Sequence, residues 1–123
     1  MPTPEPQIGT NGPEAQITVV TDAATGAPIP LTGIAAPFDV MTIVARGPGT
    51  WSPGRTPRIE LRIHGSSDTT LVRPLESPAP VIVAHVFHVP ALRAGNYTAQ
   101  VRLVMRGEHA LAESVPLHLV VVR

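Results

Sequence analysis

Five histidines, a Gly-Ser-Ser-Asp quartet and a single tryptophan near two arginines are the residues of this 123-residue chain whose types could do chemistry. His85 and His88 are three apart in VIVAHVFHV. Side chains alternate along a strand, so an odd separation sends the two rings to opposite faces, where they cannot chelate one ion without a bulge. His64, His109 and His118 are scattered, and no metal site is expected. Ser66, Ser67 and Asp68 set hydroxyls beside a carboxylate. Gly, Ser and Asp are also the residues that form turns, and no glycine-flanked nucleophile elbow surrounds them. No pair of carboxylates marks a shared acid–base site. The quartet therefore reads as a turn, and neither enzymatic activity nor a cofactor is expected. Asn96-Tyr97-Thr98 matches a glycosylation acceptor pattern, here read as coincidence.

The third feature lies in RGPGTWSPGRTP, residues 46–57, where six of twelve residues are Gly or Pro. Such a segment forms neither helix nor regular strand, yet it carries Trp51, flanked by Arg46 and Arg55. One reading has Trp51 fold back to cap an open end of the core. Burying about 200 Å² at about 25 cal/mol/Å² stabilises by at most roughly 5 kcal/mol. The other reading has Trp51, Arg46 and Arg55 anchor a partner, because Trp and Arg are enriched at binding hot spots. Arginines beside an aromatic ring also suit a sugar or a carboxylate-bearing surface.

The elements that position these residues follow from composition and pattern. The length is that of one domain. Hydrophobic residues make up 43% and aromatics only 3%, so a core of Val, Ile, Leu and Ala is expected. Fifteen prolines and ten glycines, spread along the chain, exclude a mainly helical protein and suit short strands joined by turns. The absence of cysteine rules out disulfides and thiolate metal sites. Zero net charge argues against nucleic-acid binding. Charge is unevenly placed: residues 1–45 hold four acids and no arginine, and residues 46–123 hold nine arginines against five acids. An acidic arm could thus dock on a basic body, its own or a neighbour's. The start, MPTPEPQIG, has no signal-peptide pattern, and no apolar run approaches a membrane span, so no membrane association is expected.

Residues 1–14, with Pro2, Pro4, Pro6 and Pro13, read as an extended arm. The body, 15–123, reads as strands: AQITVVT at 15–21, FDVMTIVA at 38–45, RIELRIH at 58–64, 69–75, VIVAHVFHV at 81–89, NYTAQVRLVMR at 96–106 and 114–122. Ile59, Leu61 and Ile63 alternate with Arg58, Glu60, Arg62 and His64, as in a half-buried antiparallel strand. Continuously apolar VIVAHVFHV reads as a central strand. In the last strand Val115, Leu117, Leu119 and Val121 are expected inward. The turn-rich 22–37 is long for a connection, a mark of functional or mobile loops. About seven strands in this length predict a two-layer antiparallel β-sandwich.

Within FHVPALRAGNYTAQVRL, residues 87–103, Leu92-x-x-Gly95-x-Tyr97 before an alternating strand resembles the tyrosine corner of immunoglobulin-like and fibronectin type III domains. The resemblance implies that the Tyr97 ring enters the core and its hydroxyl bonds back to the preceding loop. Gly95 would permit the turn and Leu92 would plug the sandwich end. Ala99 stands where antibody-type domains place cysteine, Leu61 where they place tryptophan, and Arg93 where an aspartate is usual. The likeness is therefore to the broad bacterial and viral immunoglobulin-like set. Together with the missing signal-peptide pattern and a proline-rich arm suited to lying across a neighbour, such a body leads to the expectation of a non-catalytic structural module: a bacteriophage virion accessory protein, either capsid decoration or tail component, that binds neighbouring subunits or copies of itself. The alternative is an extracellular or cell-surface module that binds a surface glycan through the Trp51 loop.

Overall fold

The computed structural model describes residues 13–35, 37–45, 57–75, 82–90, 92–105 and 109–122. These form an all-β protein of eight strands: β1 (Glu14–Asp22), β2 (Phe38–Ala45), β3 (Arg58–Gly65), β4 (Thr69–Pro74), β5 (Ile82–Val89), β6 (Gly95–Met105), β7 (His109–Glu113) and β8 (Leu117–Val121). One antiparallel sheet has the order β1-β2-β5, and the other has the order β4-β3-β6-β7, with β8 also paired to β6. The arm expected over 1–14 lies outside the described residues as far as residue 12, and Glu14 already belongs to β1.

Alternation in sequence becomes burial across the two sheets. Ile59, Leu61 and Ile63 of β3 and Tyr97, Ala99, Val101 and Leu103 of β6 are buried. They face Val20, Phe38, Val40, Val44, Phe87 and Val89 from the first sheet. Aliphatics dominate this core, but both phenylalanines and the tyrosine are in it, so scarce aromatics are not absent aromatics. The Ser66–Asp68 segment joins the antiparallel pair β3–β4, in which Ile63 faces Thr69.

Three expectations are corrected. VIVAHVFHV is not central: β5 is the edge of the three-stranded sheet, and Ile82 is 49% exposed. Val115 is not inward but 85% exposed. The reason is a break in the last strand. Ser114 turns its hydroxyl to accept the Val101 amide at 2.9 Å and donates its own amide to the Val101 carbonyl at 2.8 Å. Pro116 has no amide to give. The strand expected over 114–122 therefore begins only at Leu117, as β8, and is preceded by β7 at His109–Glu113, which was not expected; Val115 is thrown outward, while Leu119 and Val121 remain buried. Third, the 22–37 connection is tied to the body. Ile34 is fully buried and forms a parallel bridge to Val121, and the Val120 amide donates to the Leu31 carbonyl at 2.7 Å. Its first turn is shaped by the Asp22 carboxylate, which accepts the Ala24 and Thr25 amides at 2.7 and 3.1 Å, and by Gly26 at φ 74°.

Candidate interaction surfaces

Trp51, Arg46 and Arg55 lie outside the described residues. The other singled-out residues, Leu92, Gly95 and Tyr97, come together at one end of the sandwich. The Tyr97 ring is 1% exposed, and its hydroxyl donates to the Arg93 carbonyl at 2.7 Å. Leu92 belongs to the same buried core. Gly95 opens β6 at φ 154°, a region that disfavours side chains, and a Cβ there would collide with the Ser66 hydroxyl. Gly65, opposite Tyr97 across the β3–β6 pair, was not singled out by sequence reasoning. A Cβ on it would strike the Asn96 carbonyl and approach the Tyr97 ring to 2.7 Å. The close approach of strand to ring is therefore possible only at a glycine. This cluster shapes the end of the sandwich.

The outer face of the five-stranded sheet is polar. Register sets Glu60 beside Arg102, Arg62 beside Gln100, and His64 beside Thr98, with His118 beyond Thr98 on β8. Glu60 is nearly buried between two guanidinium groups, with Arg58 Nε at 3.0 Å and Arg102 Nη1 at 3.5 Å. Arg102 Nε is buried without a hydrogen-bond partner, its nearest acid being Glu113 at 3.8 Å. Arg62, one strand position on, is exposed and has no ion pair among the described residues. It borders a groove of about 400 Å³ lined with His64, Asp68, Thr70, Thr98 and Gln100. His64 Nδ1 and Asp68 Oδ1 meet across this groove's rim at 2.6 Å, both well exposed. The Glu60 cluster was missed in the sequence because strict alternation marks position 60 as solvated. Its signal was Arg58 two residues before and Arg102 on the neighbouring strand.

The outer face of the three-stranded sheet has an apolar centre between polar margins, with Glu14 and Gln16 towards one end and Thr21, Asp39 and His88 at the other. Side chains on this face fall in rows: Val19 with Met41 and Val86, Gln16 with Ile43 and Ala84, and Ala45 with Ile82. Met41 is 38% and Ile82 49% exposed. At one end Asp39 meets His88 Nδ1 at 2.7 Å. His85 takes the inner face instead, edge-on to Phe87 with ring centroids 4.5 Å apart. Burial, then the Arg73 guanidinium and His88, hold the His85 imidazole below its ordinary value. His85 and His88 thus sit on opposite faces. Among the described residues no three His, Asp or Glu side chains gather in a way that could hold a metal ion, and no helix is long and apolar enough to cross a membrane.

Comparison of the chain with models of known protein families, with curated proteins and with solved structures finds no match.

Proposed function

We propose that this chain is a non-catalytic, immunoglobulin-like interaction module that serves as a virion accessory protein, docking on neighbouring subunits as a capsid decoration or tail component. Three features support the immunoglobulin-like part. The Tyr97 hydroxyl bonds back four residues to Arg93. The segment after β1 crosses to run parallel with β8 at Ile34 and Val121. The strands divide into β1-β2-β5 and β4-β3-β6 with β7 and β8. In immunoglobulin lettering this is ABE against a CFG sheet, with the extra strand added beside C rather than E.

The observation that carries the docking role is the outer face of the three-stranded sheet. Val19, Met41, Ile43, Ala84, Val86 and Ile82 share one side of it. A flat face with an apolar centre and a polar margin has the make-up of a protein-docking surface rather than of a small-ligand pocket. Immunogold labelling of purified particles with antibody to this chain tests the role. Regular labelling at a fixed copy number per particle is expected. A chain found only free in the soluble fraction would refute the assembly role.

The polar groove beside Arg62 favours a second reading, binding to an acidic surface glycan. Its guanidinium, amide and hydroxyl groups suit sugar hydroxyls and carboxylates. Glycan-array binding lost in both Arg62→Ala and Trp51→Ala, with the melting temperature unchanged, would support it.

A further inference from the structure

The four edges of the two sheets are treated differently, and the difference points to a partner. An open strand edge offers a row of free amides and carbonyls, and natural proteins blunt it with charges, prolines, bulges or short strands. β1 is interrupted between Ile17 and Val19, where register slips, and carries Glu14 and Asp22. β4 is only six residues long and ends in Arg73-Pro74. The β7–β8 edge is cut at Ser114–Pro116, with a second slip opposite Leu103 and Val104. β5 has none of these devices. Its eight residues, IVAHVFHV, contain no Asp, Glu, Lys, Arg or Pro. They pair with β2 from Ile82 to Val89 without a slip. Among the described residues nothing pairs with the other side of β5.

We propose that β5 is the contact strand of a symmetric dimer, in which two copies of this chain join edge to edge with their β5 strands antiparallel. A second copy is the occupant that the edge itself specifies. Antiparallel pairing about a twofold axis sets a strand against its own reverse, so length and inward–outward alternation match automatically. The absence of formal charge means that self-pairing brings no like charges together, apart from histidine protonation. The two three-stranded sheets become one six-stranded sheet. With the axis at His85, Ala84 stands beside the copy's Val86 and Ile82 beside the copy's His88, so the outer sides of the two sheets join into one continuous face. The inference stands on the strand edges and holds whether the larger partner is a particle or a glycan.

Light scattering after size exclusion on the purified chain tests it. The wild type is expected at twice the 13.0 kDa chain mass. Ala84→Lys puts a charge on the exposed outer face of β5 and should halve that mass while far-UV circular dichroism stays that of the wild type, with a melting temperature that no longer rises with chain concentration. Val72→Lys, on β4 at a position 49% exposed, should leave the dimer intact. Ile82→Glu replaces Ala84→Lys if far-UV circular dichroism shows that variant misfolded. Hydrogen exchange in the β5 amides should speed up in the halved species and not elsewhere. A wild-type chain that stays at single mass at millimolar concentration overturns the proposal. So does a dimer that survives both β5 charges. Either result leaves the particle-labelling test of the docking role untouched.

Discussion

Removing one oxygen from Tyr97 isolates the bond that ties β6 to the loop before it. Tyr97→Phe keeps the ring in its buried site, 1% exposed, and deletes the donor to the Arg93 carbonyl at 2.7 Å. A neutral hydrogen bond contributes about 0.5–1.5 kcal/mol net, and a buried acceptor left unpaired costs about 1–3 kcal/mol. The Arg93 carbonyl is only part-buried, so water regains some of the loss, and the expected cost is about 1.5 kcal/mol. For a domain of this size that lowers the melting temperature by roughly 5–9 °C. The Ser67 hydroxyl, 3.4 Å from the Tyr97 oxygen, is too far for a strong bond, so Ser67→Ala should cost less than about 0.5 kcal/mol. Tyr97→Ala, which also empties the ring's volume, should cost about 3–5 kcal/mol. Urea denaturation of the three variants gives the ordering directly. If Tyr97→Phe falls within about 0.3 kcal/mol of wild type, the hydroxyl does not hold the corner. The immunoglobulin-like reading would then lose its most specific support.

Two further outcomes follow from the charged groups. Glu60→Gln removes the acid held between Arg58 and Arg102. The arginines are partly solvated, so the expected loss is about 1–2 kcal/mol rather than the larger figure for a fully buried pair. That loss should shrink in an Arg58→Met background, and equal losses in both backgrounds would show that the pair is not coupled. His85 gives a pH dependence. Its folded-state value lies below the unfolded value near 6.5, so the unfolded chain takes up the proton first as pH falls. The associated stability is present above about 6.5 and is lost as pH drops through the folded value. The urea midpoint of wild type should therefore fall more steeply from pH 7.5 to 5 than that of His85→Gln. Parallel profiles would contradict this.

What the sequence disclosed depended on whether a pattern had one physical cause or two. Alternation over Ile59, Leu61 and Ile63, and again over Tyr97 to Leu103, has one cause: a strand with one wet face and one dry face. Those residues are the core. The split at Ser114 left no mark, because a hydroxyl that substitutes for a ladder carbonyl is chosen by its neighbour Val101, thirteen residues away. Gly65 read as the start of a turn, whereas its real constraint is the Tyr97 ring on the adjacent strand. The roles of Arg46, Trp51 and Arg55 depend on tertiary placement that no local spacing encodes.

VIVAHVFHV shows the ambiguity at its sharpest. A strand that is apolar on both faces is ordinarily covered on both faces by its own chain, which is why it reads as central. Among the described residues β5 has β2 on only one side, and Ile82 and Ala84 on its outer face are exposed. The same pattern arises when the second cover comes from another molecule, because the strand must then be apolar and uncharged for a surface that its own fold does not supply. The mismatch between a core-like sequence and an edge position is therefore itself informative. Each of the other three edges is interrupted, charged or short, so this chain does use the ordinary protections, and among the described residues their omission marks β5 as the edge left open for pairing.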